Sequence, residues 1–157
     1  MREYRTFLVP YDFSDHSRFA LDTALELVRH FKGDLHLLHV IQPPFYATTG
    51  FAEAMPTMLL ETRHELLEAL QRVVTAIPYP PGRVESHVIE GINIAASIAE
   101  SATDLGADLI VMGTHGRTGL RHTFMGSVTE RTLRIAHCPV LTVRATEQMQ
   151  SKDGRMS

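Results

Sequence analysis

The chain has 157 residues with 15 Lys+Arg against 18 Asp+Glu, and this net charge of -3 leaves no basic field to draw it to nucleic acid or anionic lipid. A hydrophobic share of 44% and a charged share of 21% are ordinary for one globular domain with a sizeable core. The single cysteine, Cys138, excludes an internal disulfide framework and a cysteine-based zinc site, and no apolar run approaches the roughly 18 residues of a membrane span.

The opening MREYRTFLVPYDFSD turns polar too soon for a signal peptide, so a cytoplasmic location is expected. Thr6 to Tyr11 reads as a short buried strand, with Pro10 marking its end because proline cannot donate to a ladder. In the polar DFSDHS that follows, Ser14 or Asp15 can cap a helix. Leu21, Ala24, Leu25 and Val28 then recur at helical spacing from Ser17 to Phe31, with Gly33 as the expected stop. The apolar DLHLLHVI, Asp34 to Ile41, suits a parallel strand covered on both faces.

Gln42 to Pro56 has no period, and its aromatic residues Phe45, Tyr46 and Phe51 suggest a loop that packs on something, such as a lid. A helix from about Thr57 to Ile77 presents Leu66, Leu70, Val73 and Ile77 on one face, and PYPPG stops it. Val84 to Ile89 is a third strand. Ile94, Ile98, Ala102 and Leu105 mark a third helix, ended by Gly106. Asp108 to Met112 is a fourth strand, Ser127 to Ala136 a fourth helix, and Pro139 to Arg144 a fifth strand. Residues 1–145 thus form one domain, and the polar 146–157 a frayed tail.

Strands and helices alternate throughout, which implies an α/β fold: a doubly wound five-stranded parallel sheet with helices on both faces. In the order 3-2-1-4-5, strands one and four meet at the topological switch point, where ligands bind beyond the strands' carboxyl ends. Pro10-Tyr11-Asp12 and Gly113 onward would face each other there.

Between strand four and the fourth helix, Gly113, Gly116 and Gly126 stand in the spacing G-x2-G-x9-G, followed by Ser127. Glycine permits positive φ and close approach of a ligand, and a helix start offers unpaired N–H groups with partial positive charge. These are the physical needs of a phosphate site. Gly126 is expected to combine positive φ with open space, while the hydroxyls of Ser127 and Thr129 add hydrogen bonds or, for Ser127, cap the helix. The other reading of these residues is a glycine-rich turn with a serine cap and solvated arginines. Asp12 suits a ribose or base, or equally a local turn; Val40 and Ile41 end strand two beside an adenine, or are plain core.

Nine histidines raise the question of metal. His36 and His39 lie three apart on a strand and point to opposite faces, no HExxH occurs, and no metal site is expected. No GxxxxGK[ST], no GxGxxG after strand one and no GxSxG elbow is present.

FLVPYDFSDHS, DLHLLHVI, GADLIVMGTHGRTGL and MGSVTERTLRIAHCPVLTVR together resemble the universal stress protein family of the ATP-binding type, over nearly the whole length. The resemblance implies ATP, with Mg2+ left open, held between strands one and four. Pro10, Tyr11 and Asp12 would line its adenosine end and the main chain of Val40 would meet adenine. Met112, Gly113, His115 and Gly116 would border ribose and phosphates. Gly126, Ser127, Val128 and Thr129 would bind the phosphates. It further implies a nucleotide-dependent stress-response protein more than a turnover enzyme, with slow hydrolysis or nucleotidyl transfer in the same pocket as the alternative. A homodimer is implied too, and the apolar edge 139–144 is suited to pairing two copies; an unknown protein partner is compatible with this, and neither nucleic acid nor membrane is expected.

Overall fold

A computed structural model of the chain describes residues 3–43, 55–78, 82–115 and 125–144, with side chains of the second helix described from residue 60. The elements are β1 (Thr6–Pro10), α1 (Asp15–Phe31), β2 (Asp34–Ile41), α2 (Met55–Thr75), β3 (Val84–Glu90), α3 (Ile94–Asp104), β4 (Leu109–Gly113), α4 (Ser127–Ile135) and β5 (Val140–Val143). All strand pairs are parallel, in the order β3-β2-β1-β4-β5. The expected fold class and strand order are those observed.

Two cores flank the sheet. On one face Phe7, Val9, Leu35, Leu37 and Val111 pack with Ala20, Leu21, Ala24, Leu25 and Val28 of α1 and with Leu70 of α2. On the other, Leu8, Leu38, Ile110 and Met112 pack with Ile98 and Ala102 of α3, and Val128 joins from α4. Alternate strand residues therefore feed opposite cores, which is why the buried strands read as continuous apolar runs. Each fully buried side chain of this size contributes about 1.5–3 kcal/mol of transfer free energy.

Several boundaries differ from the sequence reading for identifiable reasons. Helix α1 begins at Asp15 because Ser14 is its N-cap and accepts the N–H of Ser17. Its left-handed terminus is Lys32 (φ 55°) and not Gly33. Gly33 is required by space: a Cβ there would lie 2.5 Å from the Arg5 carbonyl oxygen. Helix α2 starts at Met55, ahead of the expected Thr57, and so takes in Pro56. Proline is compatible with a first turn, where its missing N–H has no partner to lose. Gly106 (φ 63°) follows α3 in the left-handed region, as expected. Residues 44–54, in the segment read as a lid, and the tail 146–157 lie outside the described residues.

Candidate functional site

A cavity of about 800 Å³ opens beyond the carboxyl ends of β1, β2 and β4, within the size range of small-molecule sites. From the β1 end it is lined by Pro10, Tyr11 and Asp12, and from β2 by Val40. Met112, Gly113 and His115 line it from β4 and the turn after it, and Gly126, Ser127, Val128 and Thr129 from the start of α4. Residues read as a site from separate stretches of sequence are thus brought around one space; Gly116 lies outside the described residues.

The start of α4 forms one part of this wall. Its N-cap is Gly126, in extended conformation (φ -72°, ψ 151°), and no side chain caps the helix. Ser127 is the first helical residue and not the cap, contrary to one option read from sequence. The first-turn N–H groups of Ser127, Val128 and Thr129 have no carbonyl within the helix to bond, and the helix dipole adds partial positive charge. Thr129 behaves differently from expectation: its hydroxyl donates to the Gly113 carbonyl at 2.9 Å and the residue is buried. Its side chain ties α4 to the end of β4 and leaves only its N–H for a ligand.

Neither described glycine of the motif uses positive φ. At Gly113 a Cβ would fall 2.8–2.9 Å from the Cβ and carbonyl of His16, so glycine lets α1 sit against β4. At Gly126 a Cβ would meet the Thr114 carbonyl oxygen at 3.2 Å, while the Gly126 N–H donates to that same oxygen at 2.7 Å. Close backbone approach, and not left-handed geometry, is the reason for both.

Asp12 serves the turn: its Oδ1 accepts the backbone N–H and the hydroxyl of Ser14, which in turn caps α1. It is also the only carboxylate among the described residues lining the cavity. Between them Phe13 adopts φ 65°, a conformation that costs a non-glycine residue about 1–2 kcal/mol. The Phe13 ring stands edge-on to Tyr11 at 5.3 Å and 5.4 Å from the ring of His39, whose Nδ1 bonds the Tyr11 carbonyl at 2.8 Å. Burial raises the Tyr11 pKa, partly offset by the charge of Arg18, so the phenol stays neutral near pH 7.

Ile41, read beside Val40 at the end of strand two, also lines the cavity, whereas sequence reasoning passed over Ser17, Leu38, His39, Gln42, Thr62, Leu66, Ile94 and Ile98 as lining residues. His39 had a signal, since a polar ring at the end of an apolar strand beside the switch point asks for a use. Leu66 and Ile98 had none, because a helical apolar stripe looks the same whether it meets core or cavity.

The model of the universal stress protein family matches residues 3–144. The chain is 33% identical over 144 residues to universal stress protein MJ0531 of Methanocaldococcus jannaschii, covering 90% of this chain and 82% of that one. It is also similar to a crystal structure from the universal stress protein family of Burkholderia pseudomallei, with a TM-score of 0.67 and 31% identity over 92% of this chain and 99% of the other. A universal stress protein solved in complex with cAMP shares the fold at a TM-score of 0.62 and 23% identity, over 92% of this chain and all of that one. A match of this extent, on the fold and cavity described above, places the chain in the universal stress protein family.

Proposed function

We propose that this chain binds ATP in the cavity between β1 and β4 and acts as a nucleotide-dependent stress-response protein. The observation that carries the reading is the uncapped N-terminus of α4 facing a cavity of about 800 Å³ at the switch point of the sheet. The N–H groups of Ser127, Val128 and Thr129 would hold phosphate oxygens, Asp12 the ribose, and Val40 with the neutral Tyr11 phenol the base. Two features support the fit: a Cβ at Gly126 would crowd the approach to the helix start, and a protein of this fold was solved with cAMP. No cationic Lys or Arg stands among the described lining residues, so phosphate charge would rest on backbone dipoles there. That suits retention of nucleotide more than turnover.

The test is mass spectrometry of nucleotide released from freshly purified protein, followed by ATP titration calorimetry of the emptied protein. Co-purified ATP or saturable binding is expected; no bound nucleotide and no heat would overturn the reading. Linear, enzyme-dependent phosphate release would make the chain an ATPase instead. We further propose a homodimer through β5, which lies at the sheet edge with Leu141 exposed on it. Leu141→Asp should then elute as a monomer in size-exclusion chromatography, whereas an unchanged elution volume would remove this edge from the interface.

A further inference from the structure

At the other edge of the sheet, β3 pairs with β2 in a register that sets His36 opposite Glu85, with His87 two residues further along. Because side chains alternate along strands, all three project from the same face. His36 Nδ1 lies 3.0 Å from His87 Nε2 and 3.5 Å from Glu85 Oε2, and His87 Nε2 is 3.9 Å from that same oxygen. Two imidazole nitrogens and one carboxylate oxygen thus form a small triangle, the one such cluster of three metal-binding side chains among the described residues. None of the three lines the cavity beside β1 and β4.

We infer that His36, Glu85 and His87 form a binding site for a divalent transition-metal ion of the zinc type, clamping edge strand β3 to β2. A tetrahedral ion with bonds of about 2.0–2.1 Å has ligand atoms about 3.4 Å apart, so triangle sides of 3.0, 3.5 and 3.9 Å need only tenths of an ångström of adjustment. The donor set is one that zinc and its neighbours take: two nitrogens and one oxygen, with the carboxylate supplying negative charge. Glu85 is oriented for it, because Arg83 Nη1 holds Oε1 at 3.3 Å and leaves Oε2 turned to the two rings. His36 is largely buried while His87 and Glu85 are 29% and 39% exposed, which gives a fixed inner ligand, an entry path, and room for water at the fourth corner. Burial, and then the neighbouring His87, lowers the His36 pKa and so favours the neutral imidazole that a metal requires.

The ion would replace the His36–His87 hydrogen bond and add its own bonds to the backbone pairing and the Arg83 N–H to Asp34 Oδ1 contact that already join the two strands, so it would stabilise the sheet at an edge. The test is titration of the full chain with Zn2+ alone by calorimetry, alongside thermal unfolding with and without the ion. One ion per chain and a raised Tm are expected, with His87→Ala losing more than about tenfold in affinity together with the Tm shift. Glu85→Gln should weaken binding less and still fold, since it keeps the shape of the side chain. His64→Ala, on the exposed face of α2, should bind as the parent does. Equal affinity in His87→Ala, loss in His64→Ala, or no saturable binding by the parent would each overturn the site. ATP affinity of His87→Ala serves as a separate readout and should match the parent, because the triangle lies outside the cavity.

Discussion

Helices α1 and α4 both begin at the carboxyl ends of neighbouring strands, yet their N-termini are finished in opposite ways. At α1 the Ser14 hydroxyl oxygen accepts the Ser17 N–H at 3.2 Å, and Asp12 holds Ser14 in place by accepting from its backbone N–H and its hydroxyl. Helix α3 is closed similarly, with Asn93 Oδ1 accepting from Ala96 N–H at 3.2 Å. At α4 the N-cap is Gly126, which has no side chain to offer. Two helices are thus capped by side chains, while the start of α4 is left without one where it lines the cavity, which is the arrangement the proposed phosphate site calls for. The lesson is that a helix start becomes a ligand site through what is missing from the cap position.

The sharpest way to break the comparison is to fill that space. Gly126→Val should reduce ATP affinity more than about 100-fold, roughly 2.7 kcal/mol, because its Cβ meets the Thr114 carbonyl and its methyl groups occupy the space before the helix. Calorimetry on the folded variant checks this; unchanged affinity would remove the start of α4 from the site. Asp12→Ala should cost about 1 kcal/mol of nucleotide affinity, a five- to tenfold loss, and a similar amount of stability through the two lost bonds to Ser14. An equal affinity would leave Asp12 as a turn residue only. Smallest on binding is Ser14→Ala: loss of the α1 cap should cost about 1 kcal/mol of stability, a drop of 2–4 °C in Tm, with ATP affinity unmoved. A large change in affinity there would mean that the two helix starts are not separable.

Much of this was legible in the sequence because it is local. Apolar periodicity marked the packing faces of α1, α2 and α3, and Leu21, Ala24, Leu25 and Val28 all reach the core, whereas α4 buries Thr129 and Thr132, which no apolar stripe announced. Strand alternation and the position of the glycine motif put Pro10–Asp12 and Gly113 at one crevice. What local pattern cannot carry is a contact whose partner is far along the chain. Gly33 looked like a helix stop, but its reason is the Arg5 carbonyl on β1's approach; Gly113 looked like a turn, but its reason is His16 on α1. Thr129 looked like a phosphate ligand until the Gly113 carbonyl, sixteen residues away, took its hydroxyl. Phe13 in the left-handed region has no glycine or asparagine to announce it, and is held by Tyr11 and His39.

Composition, periodicity and motif spacing by themselves determined the alternating elements of a parallel α/β sheet and the family resemblance, since each follows from side-chain chemistry repeated at short range; the strand order entered as the doubly wound arrangement such alternation suits, and the sheet has that order. Only the tertiary structure decided that the α4 cap is open, that His39, Leu66 and Ile98 complete the cavity wall, and that His36 meets Glu85 and His87. The physical reason is register: parallel strands joined by a long crossover can pair at several offsets with similar local preferences, and a shift of one residue would turn Glu85 and His87 to the opposite face. Packing of the two cores selects the single offset, and with it the chemistry at both edges.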